Sequence, residues 1–285
     1  MTDPALENRI LAITRQRKRP DDTGYSAILL DDAMRLAQEA TISLADVERT
    51  ALAMNVLPER YSRNQKTLDC DDQLRLLNGH VAVVGLGGLG GVVTEILARL
   101  GVGRLTLVDG DVFDESNLNR QMLSSLKHLG QPKSTVAAAR VNDINPAVEV
   151  RTVTDFLTAT NGREILDDAI IGVDCLDNIP DRFLLEEACR GARIPMVSGA
   201  IAGTSGQVIV IYPETPGLER IYDQKDKTFR QGIEAALGTL PFTAMFIATI
   251  QCAEIAALLL GRPATLSDKM LFVQLDEYEM SIISR

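Results

Sequence analysis

From position 80 onward, short runs of apolar residues alternate with longer stretches whose apolar positions recur every three or four residues. The runs predict strands at 80–84, 104–108, 148–153, 169–174, 194–198 and 206–211, with another near 271–275. The periodic stretches predict helices at 88–100, 133–143, 179–191 and 243–260. Such alternation implies an α/β, Rossmann-like fold: a mostly parallel sheet with right-handed crossovers and helices on both faces. Gly101-Val102-Gly103 closes the first of these helices as a glycine C-cap does. The last helix is apolar nearly throughout and is expected to be buried. Gln251, Glu254 and its glycine and proline breaks argue against a membrane role.

Residues 1–58 follow a different pattern. "TRQRKRPDDTG" is charged and aperiodic, which predicts a mobile basic loop. "DDAMRLAQEA" and "SLADVERTALAM" then carry apolar residues at helical spacing, with Ser43 and Asp46 placed as a capping box and Pro58 as a stop. The expectation is a small N-terminal helical appendage on a main domain spanning 59–285. Its faint helix-turn-helix rhythm is common to helical pairs, so docking against the main domain or a partner is the preferred reading over DNA binding.

Between the first predicted strand and helix, Gly85, Gly87 and Gly90 satisfy G-x-G-x-x-G, with Gly88 inside the turn. Glycines admit close approach of a phosphate, and the helix N-terminus supplies unpaired N–H donors. Asp109 ends the next strand, where an acid can hold ribose hydroxyls. The bland alternative is a tight turn in an α/β domain, and the motif alone fits a nicotinamide dinucleotide as well as ATP. Further along, "DGDVFDESNLNRQ" (109–121) brings Asp111, Asn117, Arg120 and Gln121, and "GQPK" brings Lys133 to the start of a helix. Splitting a triphosphate at its α-phosphate must stabilise about four negative charges, which calls for cations beyond the loop amides. Arg120 and Lys133 can supply them; each alone is as well explained as a solvated surface charge. In "GVDCLDNIPDR" (172–182), Asp174 and Asp177 end a strand, where a carboxylate can hold Mg²⁺ between phosphates, or where Asp177 and Asn178 can simply cap a helix.

Composition narrows the class. Of 285 residues 46% are apolar and 24% charged, ordinary for a soluble globular chain, and the net charge of −10 disfavours nucleic acid or anionic membrane as general partners. No basic start followed by an apolar run marks a signal peptide, and a cytoplasmic location is expected. Cys70, Cys175, Cys189 and Cys252 form no C-x-x-C pair, so packed thiols are expected rather than disulfides or zinc ligands. Cys252, on the last predicted helix, is expected to be packed.

In order and at natural spacing, G-x-G-G-L-G, D-x-D, N-L-N-R-Q, G-Q-P-K and D-C-x-D-N-x-x-x-R resemble the HesA/MoeB/ThiF family of adenylyltransferases, related to ubiquitin-activating enzymes. The resemblance covers about 59–275, and "ERYSRN" (59–64) is similar to the family's R-Y-x-R-Q start. It implies Mg-ATP as the nucleotide and, as acceptor, the C-terminal carboxylate of a small ubiquitin-like carrier ending in Gly-Gly. By the same likeness the glycine loop holds the α-phosphate, Asp109 the ribose, and Asp177 Mg²⁺, while Asp111 joins the nucleotide site. Asn117, Arg120, Gln121 and Lys133 meet the phosphates, and Arg63 reaches the partner's site in a homodimer. The family's two C-x-x-C zinc pairs would fall at "PGLERIYDQ" and "LDEYEMSIISR", and its transfer cysteine in "KTFRQGIEAALGTLPFTAMF"; none of these holds a cysteine. No zinc and no covalent cysteine relay are therefore expected, and sulfur would come from a separate donor. Other readings are another carboxylate acceptor (a peptide C-terminus or a modified tRNA base), a non-catalytic ATP-binding adaptor, and an NAD-dependent oxidoreductase.

Overall fold

A strand covered on both faces needs apolar side chains in both directions, and His80–Val84 is buried at all five positions. In the computed structural model, which describes residues 3–64, 66–222 and 234–284, this strand sits inside the main sheet. The elements run α1 (Pro4–Ile13), β1 (Arg15–Lys18), β2 (Gly24–Ile28), α2 (Leu30–Ala40), α3 (Leu44–Ala53), β3 (Val56–Pro58), α4 (Cys70–Asn78) and β4 (His80–Val84). There follow α5 (Gly88–Leu100), β5 (Arg104–Val108), α6 (Lys133–Ile144), β6 (Glu149–Val153), α7 (Gly162–Ile165), β7 (Ile171–Asp174) and α8 (Ile179–Ala192). The chain ends with β8 (Met196–Ala202), β9 (Ser205–Ile211), α9 (Glu234–Leu237), α10 (Pro241–Leu259), β10 (Lys269–Gln274) and β11 (Glu279–Ser284).

The main sheet has the order β11-β10-β9-β8-β7-β4-β5-β6, parallel from β8 to β6 and antiparallel from β8 to β11. Alternate residues of β4 feed two cores. Val81 and Val83 pack with α5, α6 and α10, whereas Ala82 and Val84 pack with α7 and α8. The chain leaves β4 toward β5 and β6, then returns to place β7 on the other side. That reversal opens a crevice at the carboxyl ends of β4 and β7, the place where open α/β sheets bind ligands.

The N-terminal unit has more order than its charge pattern predicts. The expected mobile loop is instead a hairpin: β1 pairs antiparallel with β2, and β2 pairs parallel with β3. The turn is made by Asp22 at φ 62° and closed by the Arg19 N–H on the Thr23 carbonyl at 2.9 Å. Its charges are held rather than free. Arg15 meets Asp32 at 2.8 Å, Lys66 meets Asp21, and the Arg19 guanidinium lies 4.7 Å from the Tyr25 ring centre. Charge on an edge strand suppresses stray pairing, so here it disguised a strand as a loop. The Ser43 cap is as expected, its hydroxyl accepting the Asp46 N–H at 3.0 Å.

This unit docks away from the crevice. Buried Glu48 of α3 accepts from Arg60 at 2.7 Å, and Arg60 also donates to Asn145 Oδ1 at 2.8 Å. Asn145, which ends α6, donates in turn to the Tyr61 hydroxyl at 2.8 Å. The Tyr61 ring packs against Gly101, the C-cap of α5, where an added Cβ would stand 2.6 Å from ring atoms. The glycine turn lies at the opposite end of that helix, about 20 Å off at 1.5 Å per residue.

Candidate active site

The crevice is a cavity of ≈ 710 Å³. One wall is the turn after β4. Gly85 there has φ 89°, and a Cβ would stand 2.6 Å from the Cys175 carbonyl oxygen, so only glycine fits. Gly87 caps α5 without any side-chain hydrogen bond, and Gly87, Gly88 and Leu89 line the cavity, which leaves first-turn amides for an anion. Gly90 does not line the cavity; it is buried against Gly85 and lets the helix start close to the strand.

Asp109, at the end of β5, accepts the Leu86 N–H at 2.7 Å and the Asp111 N–H at 2.8 Å, tying the two strand ends together. Each oxygen keeps a further lone pair for a hydroxyl. Burial pushes the Asp109 carboxyl up, opposed by Lys133 and then by the two amides. Lys133, buried at the start of α6, donates to Asp111 at 3.1 Å and lies 4.0 Å from Asp109. Its ammonium therefore stands at the cavity wall, held by two carboxylates.

Arg120 and Gln121 also line the cavity. The Arg120 guanidinium donates to the Ser116 carbonyl and to Asn119 Oδ1, both at 2.9 Å, so its bonds here go to neutral acceptors. Gln121 Oε1 is buried without a hydrogen-bond partner among the described residues, the condition of an acceptor awaiting a donor. Asn117 stands behind them instead of lining the wall. Its side chain accepts the Asp114 N–H at 3.1 Å, and its carbonyl accepts the N–H of Arg120 and of Gln121. It shapes the loop that carries both.

After β7 the two aspartates separate. Asp174 is fully buried and occupied: it accepts from Arg182 at 3.0 Å, from Ser198 at 2.6 Å and from the Leu176 N–H at 3.0 Å. Asp177 is exposed and lines the cavity. The helix cap is made by Asn178, which accepts the Asp181 N–H at 2.9 Å, so Asp177 is spared for another task. One hard carboxylate opening on a phosphate-sized cleft suits Mg²⁺, which completes its shell with phosphate oxygens and water. Among the described residues no cluster of three His, Cys, Asp or Glu could hold a metal alone.

Residue-pattern reasoning passed over several groups. Arg182 lines the wall while bonded to Asp174 and to the Gly199 carbonyl at 2.7 Å; it is the last position of D-C-x-D-N-x-x-x-R and was legible there. Phe156, 61% exposed, stands over Gly110, where an added Cβ would be 2.7 Å from its ring. No motif announces Phe156. On the side of β8, β9 and β10 the cavity wall includes Ala200, Ala202, Gly206, Gln207 and Phe272, all uncharged, with Tyr222 beside Gln207. Arg63 is exposed and does not line the cavity of its own chain. Cys175 lines it but is buried, with its thiol pushed well up by burial; Cys252 is packed, its thiol pushed up to about 12. Of the segment "KTFRQGIEAALGTLPFTAMF", residues 227–233 lie outside the described residues.

Residues 61–284 match the ThiF family. The chain is 36% identical over 216 residues to the SAMP-activating enzyme E1 of Haloferax volcanii, covering 75% of this chain and 80% of that one. It is 34% identical over 229 residues to the molybdopterin-synthase adenylyltransferase of Haemophilus influenzae, covering 78% and 92% respectively. In fold it is similar to E. coli MccB solved with ATP, at TM-score 0.66 and 20% identity, over 100% of this chain and 88% of that one.

Proposed function

Because the chain belongs to the ThiF family and is an adenylyltransferase, we propose that it uses Mg-ATP to adenylate the C-terminal glycine carboxylate of a ubiquitin-like sulfur-carrier protein. The observation that carries this reading is the make-up of the cavity wall. The glycine turn, Arg120 and Lys133 offer amides and cations to a triphosphate, and the uncharged wall from β8, β9 and β10 suits a neutral chain ending in a carboxylate.

The chemistry follows from placement. A carboxylate oxygen of the acceptor attacks the α-phosphorus, the bond to the β-phosphate oxygen breaks, and pyrophosphate leaves with that electron pair. Amides of Gly87, Gly88 and Leu89 hold the α-phosphate, and Asp109 holds the ribose. Arg120 and Lys133, with the Gln121 Nε2 amide as a further donor, meet the β- and γ-oxygens and stabilise charge that grows on the leaving group. Asp177 would hold Mg²⁺, which when bound neutralises phosphate charge. No side-chain nucleophile is needed, and we expect no cysteine relay; a separate donor supplies sulfur to the adenylate. A homodimer is the expected working unit. Tyr61 packs at the far end of α5 from the glycine turn, so nearby Arg63 is badly placed for its own site and better placed to serve a partner's.

A second reading keeps the chemistry and changes the acceptor to a peptide C-terminus. It is favoured by the fold likeness to MccB, also solved with MccA, which extends over the N-terminal unit as well. ATP–pyrophosphate exchange with purified protein separates the two. Exchange that requires a carrier ending in Gly-Gly, and is lost when that tail is clipped, supports the carrier. Exchange driven by a short peptide and by no carrier supports the second reading. Normal ATP binding with no exchange under any acceptor would overturn both and leave an adaptor.

A further inference from the structure

On the cavity face of β8, β9 and β10 the side chains form rows across the sheet. Ala200 lies opposite Gln207, and Gln207 opposite Phe272, so the three stand side by side, and all line the cavity. The neighbouring row, Ser198, Ile209 and Met270, is buried. Gln207 is thus a polar side chain between a small apolar neighbour and a large one. An amide in such a row is retained at a cost unless it finds partners. Among the described residues its side chain makes one hydrogen bond, Nε2 donating to the Tyr222 hydroxyl at 3.2 Å. A second N–H and the carbonyl oxygen remain.

The segment that carries Tyr222 is gripped by one face of α8, at positions i, i+3 and i+7. Phe183 meets the Tyr222 ring edge-on, ring centres 6.4 Å apart. Buried Glu186 accepts the Leu218 N–H at 3.0 Å and holds Arg190 at 2.7 Å. Arg190 donates to the carbonyls of Pro213 at 2.6 Å and Thr215 at 2.7 Å. Gly217 passes so close that an added Cβ would overlap the Glu186 carboxylate. Leu218, fully buried, anchors the short turn Leu218–Arg220 that leads to Tyr222. Neither Glu186 nor Arg190 lines the cavity, so their bonds serve the segment alone.

We propose that Gln207 recognises the main chain of the acceptor next to its carboxylate, and that Tyr222, held by the α8 grip, fixes the Gln207 amide in the orientation to do so. The inference rests on the adenylation reading above and holds for either acceptor. A primary amide presents a donor and an acceptor side by side, the complement of a peptide group. A glycine tail has no side chains to be read, so its N–H and C=O groups are what a site can hold. Ala200 leaves room for that chain beside Gln207, and Phe272 gives it an apolar flank. Freed from Tyr222, the amide would sample several rotamers, and each binding event would have to order it again.

Pyrophosphate exchange tests this through the acceptor KM, the ATP KM and the maximal rate. The probe is whichever drives exchange in wild type, the Gly-Gly carrier or the short peptide, and urea unfolding is the folding control. Gln207→Leu should raise the acceptor KM about tenfold, with ATP KM and maximal rate within about twofold of wild type. Tyr222→Phe and Arg190→Met should each raise it about threefold, and neither should add to the Gln207→Leu defect, because both act through that amide. Tyr222→Phe removes one hydroxyl from a half-buried ring, so it carries the test even if Gln207→Leu does not fold. An unchanged acceptor KM in whichever of these two is folded refutes the inference and leaves adenylation standing. Acceptor and ATP KM rising together, or effects that add, would make the segment a purely structural support and overturn the positioning role. Wild type that exchanges with no probe would overturn the adenylation reading and this inference with it.

Discussion

Two glycine-to-alanine substitutions, both inside helices, should move stability in opposite directions. Alanine in a helix interior is favoured over glycine by about 0.5–1 kcal/mol, because the unfolded chain loses less freedom. At Gly191, in the last turn of α8, nothing lies within 4 Å of an added Cβ, so Gly191→Ala should gain about that amount. At Gly90 the same methyl overlaps the Gly85 carbonyl oxygen, and stands 2.8 Å from the Gly85 carbon and 3.3 Å from Cys175 Cβ. The first two are backbone atoms of the phosphate turn and cannot rotate away, so α5 must lift from the turn. Overpacking costs about 1–3 kcal/mol, and a backbone clash belongs at the upper end. After subtracting the helix gain, Gly90→Ala should lose about 2 kcal/mol, leaving the variants about 3 kcal/mol apart. Lifting the turn also misplaces the first-turn amides, so ATP affinity should fall at least about tenfold, equivalent to 1.4 kcal/mol. Urea unfolding and equilibrium ATP binding read both effects. A Gly90→Ala protein as stable as wild type, with normal ATP affinity, would refute the packing role assigned to that glycine.

Other consequences are more direct. Lys133→Ala removes the cation between Asp109 and Asp111 and should lower pyrophosphate exchange roughly 10²–10³-fold, with ATP binding weakened but measurable. An exchange rate within a few-fold of wild type would show that the ammonium serves only the local ion pair. Phe156→Ala should weaken ATP binding up to about tenfold if the ring covers the base, with a smaller effect on the maximal rate. Thiol titration of native protein near neutrality should find Cys175, Cys189 and Cys252 inert, because burial raises each thiol and keeps it protonated. Labelling should rise with pH, not fall, and all four cysteines should react after denaturation; fast neutral labelling of Cys175 would reopen the question of a cysteine relay.

The parallel core was legible because strands buried on both faces are written as unbroken apolar runs: the β4, β5 and β7 predictions lie within a residue or two of the observed ends. The glycine turn was legible because its spacing is imposed by contact between strand and helix. The N-terminal hairpin was not, because an edge strand can be charged at every position, and "RQRK" has no alternation to betray it. Helix α1 was missed as well; buried Ile10 is its one fully enclosed residue. Within the site, sequence order named Asp109, Lys133 and Arg120, which line one cavity. It favoured Asp177 over Asp174 for the metal, but could not supply the physical reason, which is that Arg182 and Ser198 reach Asp174 across the sheet. Phe156 was invisible for a related reason: only its position above Gly110 at the cavity marks it, in a loop with no motif.

The central claim is that a carboxylate of the acceptor becomes bonded to the α-phosphate of ATP. The direct measurement is the intact mass of a Gly-Gly carrier after incubation with enzyme, ATP and magnesium, with pyrophosphatase present to draw the reaction forward. The account predicts a carrier heavier by one AMP, modified at its terminal glycine, and formed at least about 100-fold more slowly by the Lys133→Ala enzyme. An unmodified carrier alongside hydrolysed ATP, or a carrier attached to an enzyme cysteine, would contradict it.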